Sequence, residues 1–540
     1  MPWLTVLIFL PLVGIPVLAL WRGASDVQAR AVALVVSLAT FLVALGMLGA
    51  FDPSVAGYQL VEHVDWLPSA GLSYLVGVDG FSVWLVVLTA FMTPVAIVSS
   101  WGVSHRVRLF MALTLLLETA IVGSFLALDL LLFFVFFEAL LVPMFLVIGM
   151  WGSARRVYAS LKFFLYTMAG SAFLLLAIVY LWFQTSQQLA HASFDIRQME
   201  RLSLATATQR WLFLAFFIAF AVKVPIFPLH TWLPDAHTEA PTNGSIVLAA
   251  LLLKAGPYGL LRFNLDLFPE ASRYFAQAIG ILAVVGIVYG ALVAMMQTDV
   301  KRLVAYSSVS HMGFVTLGVF VFTEQGAQGA ILQMVNHGLI TGGLFLLVGV
   351  IYERTHDRTI AKMGGLASRM PVWAAVFGFF VFASAGLPGL SGFVGEFLSM
   401  VGTFLVSPGA AAVAAFAMIL GAGYLLFMYQ RVIFGEVSDF LENLGGHLTD
   451  MTPIEVLTLV PLATLIVVFG IQPGLLLNLI QGSVDEFLAS ARTGQAIPVD
   501  PIVVVIGLAL IVLLVVARTV AVALGRRRET AVVVAQGGGV

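Results

Sequence analysis

Fifteen runs of about twenty mostly apolar residues dominate the chain and restrict its fold more than any other feature. An α-helix needs about twenty such residues to cross the hydrocarbon core of a bilayer. Of the 540 residues, 61% are hydrophobic and only 10% are charged, whereas about 25% of a soluble domain is charged. The sequence therefore predicts an all-α polytopic membrane protein. The predicted spans lie near residues 2–21, 29–50, 81–101, 109–127, 130–150, 161–183, 211–231, 244–264, 275–296, 303–322, 328–352, 373–404, 410–434, 454–477 and 501–523.

The lysines and arginines indicate how these spans are oriented. With the N-terminus outside, the cytoplasmic side holds seventeen of the 26 basic residues, the other side holds six, and Lys223, Lys254 and Arg518 lie within spans. Cytoplasmic segments of membrane proteins carry the excess of Lys and Arg. We therefore expect the N-terminus outside and the C-terminal tail, with Arg526 to Arg528, in the cytoplasm.

The composition excludes several classes of function. The chain contains no cysteine, so it holds no disulfide, thiolate metal site or iron–sulfur cluster. Its net charge of −2 argues against a nucleic-acid partner. Any role in electron transfer would require cofactors that other chains hold.

A charge and two prolines interrupt the seventh span. The segment "FAVKVPIFPLHTW" (Phe220–Trp232) places Lys223 near the middle of the bilayer and follows it with Pro225 and Pro228. A lysine at that depth costs about 2.5–3.5 kcal/mol on insertion scales. Proline removes a helical hydrogen bond, so a break here frees backbone carbonyls, admits water and supplies a hinge beside the lysine.

The twelfth span is interrupted in the same way. The segment "SAGLPGLSGFVGEF" contains Pro388 and then Glu396. "GSAFLLLAIVY" from Gly170 and "GGLFLLVGVIY" from Gly342 are similar segments, and five spans separate the two copies, so their orientations are opposite. Inverted repeats with interrupted helices at matching positions are typical of transporters. A shared Gly/Leu/Phe composition is the alternative explanation.

Seven ionisable residues lie well inside apolar runs. Such residues are costly, and they commonly pair with one another or line a path for ions. We interpret Glu138 and Lys223 as a pair that changes protonation, with a relay of titratable groups beyond it. The seven residues are Glu118, Glu138, Lys223, Lys254, His311, His337 and Glu396.

Each of these residues also has a structural explanation. Glu138 and Lys223 form, on that view, a static ion pair between helices, and Glu118 only orients a neighbour. His311 and His337 are then hydrogen-bonded core residues, and haem ligation by them lacks a second well-placed pair. The number of ionisable groups in successive spans, with nearly balanced signs, favours a hydrated polar axis.

At these residues the sequence resembles a known family. "FAVKVPIFPLHTWLPDAHTEAPTNGSIVLAALLLKAGPYGLLRF" (Phe220–Phe263) is similar to the signature of the antiporter-like subunits of respiratory complex I, which share ancestry with multi-subunit Na⁺/H⁺ antiporters. The similarity runs from Glu138 through "GLPGLSGFVGEF" and covers roughly residues 75 to 480. Most of these antiporter-like subunits carry lysine at the position of Glu396. The glutamate is similar to only one branch of the family.

The resemblance implies a fourteen-helix core with two inverted five-helix repeats, spans 4–8 and 9–13, and broken helices seven and twelve. It assigns Glu138 and Lys223 to the switching pair, Lys254, His311 and His337 to the central relay, and Glu396 to the exit side, and Glu118 matches a family glutamate. The implied divisions are 1–105 for the first three spans, 106–265 and 270–435 for the repeats, and 450–540 for the C-terminal spans and tail.

The resemblance also implies partners, cofactors and location. We expect a proton-translocating subunit in the bacterial plasma membrane, in contact with lipids and with neighbouring antiporter-like subunits of an NADH:quinone oxidoreductase. The chain itself carries no cofactor, and FMN and iron–sulfur clusters belong to partner subunits. The alternatives are a subunit of a multi-subunit cation/proton antiporter and a scaffold whose buried charges only hold helices together. The span at 501–523 departs from the family pattern; an interfacial helix is its alternative.

Overall fold

The computed structural model describes residues 1–21 and 23–491 and is a bundle of α-helices. The predicted fifteenth span at 501–523 and the basic tail after it lie outside the described residues. The helices are α1 (Trp3–Leu20), α2 (Asp26–Ala50), α3 (Gly80–Val98), α4 (Val107–Leu126), α5 (Leu130–Ala139), α6 (Leu141–Trp151), α7 (Arg156–Gln188), α8 (Ile196–Met199), α9 (Thr206–Lys223), α10 (Trp232–Glu239), α11 (Thr242–Val247), α12 (Leu253–Gly259), α13 (Pro269–Met295), α14 (Val300–Phe320), α15 (Glu324–Thr355), α16 (Leu366–Arg369), α17 (Pro371–Ser384), α18 (Ser391–Val406), α19 (Pro408–Ile433), α20 (Asp439–Leu444), α21 (Pro453–Ile471) and α22 (Gly474–Ala491).

Twelve helical segments in the described part of the chain are long and apolar enough to cross a membrane. Two shorter apolar helices, α17 and α18, follow one another where the twelfth span was predicted. The seventh predicted span is α9, which ends at Lys223. Each of the first fourteen predicted spans thus coincides with a helix or with a broken pair of helices.

A β-hairpin that the sequence analysis did not predict joins α2 to α3. Strands β1 (Gln59–Leu67) and β2 (Leu72–Val78) pair antiparallel. The hairpin turn accepts a hydrogen bond from Phe194 N at Gly71 O, 3.1 Å, and β2 bridges to Ala127. We call the side of the bundle that carries these segments the hairpin face.

Charged side chains gather on the opposite side of the bundle. The Asp235 carboxylate lies 2.7 Å from Lys162 Nζ and within 3.6 Å of the guanidinium groups of Arg155 and Arg302. We call this side the basic face. Lys162, Arg155 and Arg302 are all among the seventeen basic residues that the sequence analysis places on the cytoplasmic side. Their common contact with Asp235 agrees with the predicted alternation of spans.

Both predicted helix breaks are present. Residues 224–231 separate α9 from α10, and they include Pro225 and Pro228. Residues 385–390 separate α17 from α18, with Pro388 between Gly386 and Gly389, whose φ angles of 78° and 93° suit glycine. Just before the first broken helix, Ser203 N donates to Gln188 Oε1 at 2.9 Å, and at the start of the second, Trp373 N donates to Asp450 Oδ1 at 3.0 Å.

The eighth span, Thr242–Leu265, is a helix with two π-helical segments. Leu248–Leu252 and Leu260–Leu265 flank the regular segment α12, which carries Lys254. A π-helical turn shifts the hydrogen-bond partner by one residue and often marks a functional site in an α-helix. The sequence pattern predicted only a continuous helix here.

The C-terminal end of the predicted span at 454–477 was wrong. Helix α21 ends at Ile471, Pro473 follows, and α22 begins at Gly474 as a separate helix. The α22 residues Ser483 and Phe487 contact the start of α3, where Gly80 N donates to Ser483 Oγ at 2.9 Å. Helix α22 therefore packs on the hairpin face and is not a continuation of α21.

Candidate functional site: a buried polar axis

Lys254 lies at the centre of the polar axis and is fully buried. Its Nζ lies 2.8 Å from His337 Nδ1 and also donates a hydrogen bond to Ala249 O. Ala249 belongs to the first π-helical segment, so the irregular turn supplies a carbonyl acceptor within reach of the lysine. This arrangement holds the ammonium group against an imidazole.

His337 leads onward to His311 and Glu396. The centroids of the two imidazole rings are 5.8 Å apart. His311 Nδ1 is hydrogen-bonded to Glu396 Oε1, and His311 Nε2 lies 3.3 Å from Ser384 Oγ. The structure therefore brings four of the seven predicted residues into one line, and that line runs from the eighth span to the second helix break.

Glycine residues let α15 and α18 approach closely enough to hold Glu396. A Cβ at Gly395 would lie 2.6 Å from Gln333 Oε1, and a Cβ at Gly329 would lie 2.4 Å from Ser399 N. Real Cβ atoms do not approach other atoms so closely, because protein interiors are close-packed. In the contact that results, Gln333 Nε2 donates to Glu396 Oε1 at 3.0 Å.

The other three predicted residues are buried or half-buried but do not touch one another. Lys223 Nζ has no hydrogen-bond partner among the described residues, and it lies 4.7 Å from the centre of the Phe137 ring. It therefore donates no hydrogen bond to the Glu138 carboxylate, although the two groups interact electrostatically. Glu118 is fully buried, and neither carboxylate oxygen has a hydrogen-bond partner within residues 1–21 and 23–491.

A tryptophan side chain forms a hydrogen bond across the first helix break. Trp232 Nε1 donates to Val222 O at 2.8 Å, and Val222 lies in the last turn of α9. The last carbonyls of a helix have no partner inside the helix. The indole of α10 therefore satisfies one of the carbonyls that the break exposes beside Lys223.

Two buried histidines were missed, although the sequence analysis quoted the segment that contains them. Neither ring nitrogen of His230 or His237 has a partner among the described residues. His237 is fully buried, stacks on Phe345 with ring centroids 4.6 Å apart, and interacts electrostatically with Lys254 and Lys301. Both histidines lie seven residues apart in "HTWLPDAH", directly after the prolines of the helix break, and that segment is the signal in the sequence.

An apolar cavity lies on the other side of this axis. Its volume is about 760 Å³, and apolar side chains of α2, α3, α15 and α21 line it, among them Phe41, Leu88 and Leu339. A Cβ at Gly338 would lie 2.8 Å from Leu88 Cδ2 and 3.1 Å from Ala250 O. Leu88 therefore lines the cavity and also packs against Gly338, the residue next to His337.

The described residues, 1–21 and 23–491, contain no group of three or more His, Asp or Glu side chains placed to hold a metal ion. The two central histidines face a lysine and a glutamate instead. The buried groups of the axis thus form two hydrogen-bonded pairs, Lys254 with His337 and His311 with Glu396. Buried titratable residues on interrupted, inverted helices define an antiporter-like membrane subunit.

Known proteins match the chain along most of its length. The profile of the family described as NADH:quinone oxidoreductase/Mrp antiporter, transmembrane, matches residues 127–421. Subunit M of NADH-quinone oxidoreductase from Rhodobacter capsulatus is 48% identical over 497 residues, which covers 90% of this chain and 96% of that protein. The chain belongs to the family of NADH-quinone oxidoreductase subunit M.

Solved structures are similar in fold as well. A chain of respiratory complex I from Thermus thermophilus with bound NADH matches with a TM-score of 0.82 and 32% identity, covering 90% of this chain and 99% of that chain. A chain of the Mrp complex from Dietzia sp. matches with a TM-score of 0.75 and 23% identity, covering 99% of this chain and 59% of that chain. The second similarity concerns the fold alone.

Proposed function

We propose that this chain translocates protons as subunit M of an NADH:quinone oxidoreductase, through the line Lys254–His337–His311–Glu396. The contact between Lys254 Nζ and His337 Nδ1 at 2.8 Å carries the proposal, because it joins a proton donor to a group able to accept the proton. Membership of the subunit M family supports this function. Oxidation of NADH and reduction of quinone then belong to partner subunits, which hold the flavin and the iron–sulfur clusters.

Each residue of the line has a definite task. Lys254 gives a proton to His337 Nδ1, and the other ring nitrogen of His337, which has no partner among the described residues, passes it on. The ring centroids of His337 and His311 are 5.8 Å apart, which is too far for a direct hydrogen bond. A bridging water therefore passes the proton to His311. Glu396 accepts it from His311 Nδ1, and Gln333 holds the carboxylate in place.

Lys223 and Glu138 act as the switch that drives this line. In the structure the two groups are apart, and the Phe137 ring lies next to the Lys223 ammonium group. Closing the pair stabilises the charged lysine, and opening it favours proton release. Moving one proton against 100 mV requires about 2.3 kcal/mol, so closing must change the free energy by at least that amount. The break after α9 supplies the hinge.

The hairpin face is the outer side of the membrane in this proposal, and the basic face is the cytoplasmic side. The excess of Lys and Arg on the basic face supports this orientation. The N-terminus is then outside. His237 and Lys301 lie on the cytoplasmic side of Lys254 and are candidates for proton uptake. Neighbouring antiporter-like subunits and lipids cover the remaining apolar surface.

A cation/proton antiporter without a redox partner is the second candidate, and it is favoured by the family profile, whose description also names Mrp antiporters, and by the shared fold with the Mrp chain. Affinity purification from the native membrane in mild detergent separates the two functions. Co-purification of flavin and iron–sulfur subunits with NADH oxidation supports the respiratory function. Recovery of small membrane chains alone, without NADH oxidation, would overturn it in favour of the antiporter.

A further inference from the structure

Arg262 lies at the hairpin-face end of the eighth span, where its guanidinium group forms an ion pair and two hydrogen bonds. Its Nη2 lies 2.6 Å from Asp79 Oδ2, and both side chains are only 4% exposed. Nη1 donates to Tyr58 Oη at 3.1 Å, and Nε donates to Tyr258 Oη at 3.3 Å. Asp79 is itself fixed, because it caps α3 by accepting hydrogen bonds from Phe81 N and Ser82 N.

A polar cavity of about 240 Å³ opens in front of this ion pair. A water molecule occupies about 30 Å³ in the liquid, so the cavity has room for several waters. Arg262 forms part of its wall, together with carboxylates from three other segments. The acidic residues that line it are Asp79, Glu200, Asp266 and Glu486.

Lys254 lies behind Arg262 along the same span. Tyr258 stands between them in the sequence and donates from Oη to Phe125 O at 2.9 Å. From the cavity inward, the order is therefore a fixed guanidinium, a tyrosine and then the lysine of the proton line. Arg262 is the one basic residue among the described residues that line this cavity, and Arg197 interacts electrostatically with Tyr58 and Glu200 in its wall.

We propose that Arg262, locked to Asp79, is an electrostatic plug that closes the eighth span toward the hairpin face, so that protons from Lys254 leave only by way of Glu396. Arginine is charged at every physiological pH and cannot relay a proton. A fixed positive charge at a constriction raises the barrier for protons and other cations, as it does in selective channels. Arg262 is a positioning residue here. The proposal rests on the proton line of the proposed function.

The same residues also suit a second, simpler role, in which the ion pair only joins α3 to the eighth span. Passive proton leak separates the two roles, because a structural pair has no influence on a proton path through Lys254. The intact respiratory complex, reconstituted in liposomes without NADH, serves for the measurement. A potassium diffusion potential drives protons inward, and an entrapped dye reports the internal pH.

Arg262→Gln removes the charge, and Arg262→Lys retains it as the matched control. We expect Arg262→Gln to raise the passive proton leak on the order of tenfold, which corresponds to about 1.4 kcal/mol of barrier. Arg262→Lys should stay near the wild-type leak. In Arg262→Gln/Lys254→Met the leak should return to the wild-type level, because the path through Lys254 is then interrupted.

Two outcomes overturn the plug. One is a wild-type leak in an assembled Arg262→Gln complex, and the other is a raised leak that persists in the double variant. If Arg262→Gln fails to assemble, Asp79→Asn/Arg262→Gln replaces it, since asparagine keeps the cap of α3 and removing both partners leaves no unpaired buried carboxylate. A raised leak in Asp79→Asn/Arg262→Gln supports the plug, and an unchanged leak contradicts it. Failure of the proposed function is distinct, because it would show as normal NADH-driven pumping in Lys254→Met alone.

Discussion

Lys254 Nζ and His337 Nδ1 are 2.8 Å apart in a region where both side chains are buried. If this contact carries protons, Lys254→Met should abolish NADH-driven pumping, because methionine has a similar length and no exchangeable proton. Lys254→Arg should fail as well, since a guanidinium keeps its proton. Pumping is measured as dye quenching in liposomes alongside NADH oxidation. Normal proton-to-electron stoichiometry in either variant contradicts the relay.

The Glu396 carboxylate is the acceptor at the end of the line. Glu396→Gln keeps the size of the side chain and a hydrogen bond to Gln333 but cannot take up a proton, so pumping should fall at least about tenfold. Glu396→Asp keeps the carboxylate and should retain part of the activity. The comparison uses membranes in which assembly of the complex has been verified. Equal activity in the Gln and Asp variants would rule out proton acceptance by Glu396.

The effects of mutating Lys223 and Glu138 on pumping should depend on each other, even though the two side chains are apart in this structure. Lys223→Ala and Glu138→Ala should each remove most of the pumping while the protein stays in the membrane. If the two act as one switch, the double variant should lose no more than either single variant, since interacting residues are not additive. The proton-to-electron stoichiometries of the two single variants and the double variant are compared with that of the wild type. Additive losses would show that the residues act separately.

Gly395→Ala tests the packing that places Gln333 on Glu396. The new methyl group would lie 2.9 Å from Gln333 Cα, a backbone atom that cannot rotate away, so the helices must move apart. Overpacking of this kind costs about 1–3 kcal/mol and should lower both thermal stability and pumping. Gly423→Ala is the matched control, because nothing lies within 4 Å of its Cβ position. Similar melting temperatures for the two variants would disprove close packing at Gly395.

The stability of the protein should fall as pH rises toward about 8, because burial raises the pKa of Asp266 to about 8 against the lowering effect of Arg262. From the ordinary value of 3.8 up to about 8 the folded protein retains a proton that the unfolded chain loses. Stability is thus lost across that range and is constant above it. Asp266→Asn should flatten the melting temperature of the purified complex between pH 5 and pH 8.

Asp357→Asn is the control for that titration. Burial acts to raise the pKa of Asp357, but hydrogen bonds from Lys362 and Thr359 outweigh it and lower the pKa to about 2. The stabilising effect of the Asp357 carboxylate is present above the ordinary value of 3.8 and is lost between 3.8 and 2. The melting profile of this variant should therefore keep the wild-type slope between pH 5 and pH 8. A slope as flat as that of Asp266→Asn would show that Asp266 is not the titrating group.

Much of the fold was predictable because membrane spans depend on local composition. Runs of apolar residues located the spans, and Pro225, Pro228 and Pro388 located the breaks. The hairpin β1–β2 and helix α22 were not predicted, because their polar and apolar positions pack against segments distant in sequence. The end of α21 was misplaced for the same reason, since "QPGLLLNLI" continues an apolar pattern while its prolyl residue begins a new helix.

The candidate site was predictable as a set of residues but not as a geometry. An ionisable residue in an apolar run is visible in the sequence, and Lys254 and Glu396 were found in this way. The π-helical segments beside Lys254 leave no such mark, because their residues are apolar and helical in pattern. His237 was overlooked because it lies in the polar segment after a break, where a histidine is unremarkable until its burial is known.

Leu88 lines the apolar cavity and packs against Gly338, the residue next to His337, so closely that a Cβ at Gly338 would have no room. Electrostatic interactions weaken sharply when water enters a low-dielectric region. Apolar side chains such as Leu88 therefore help to keep water away from the neighbourhood of His337, and the low dielectric constant that results strengthens the interactions among the buried charges. Coupling in such a pump depends on uncharged residues as much as on the charges themselves, and a shortened leucine there would loosen it without touching a single proton carrier.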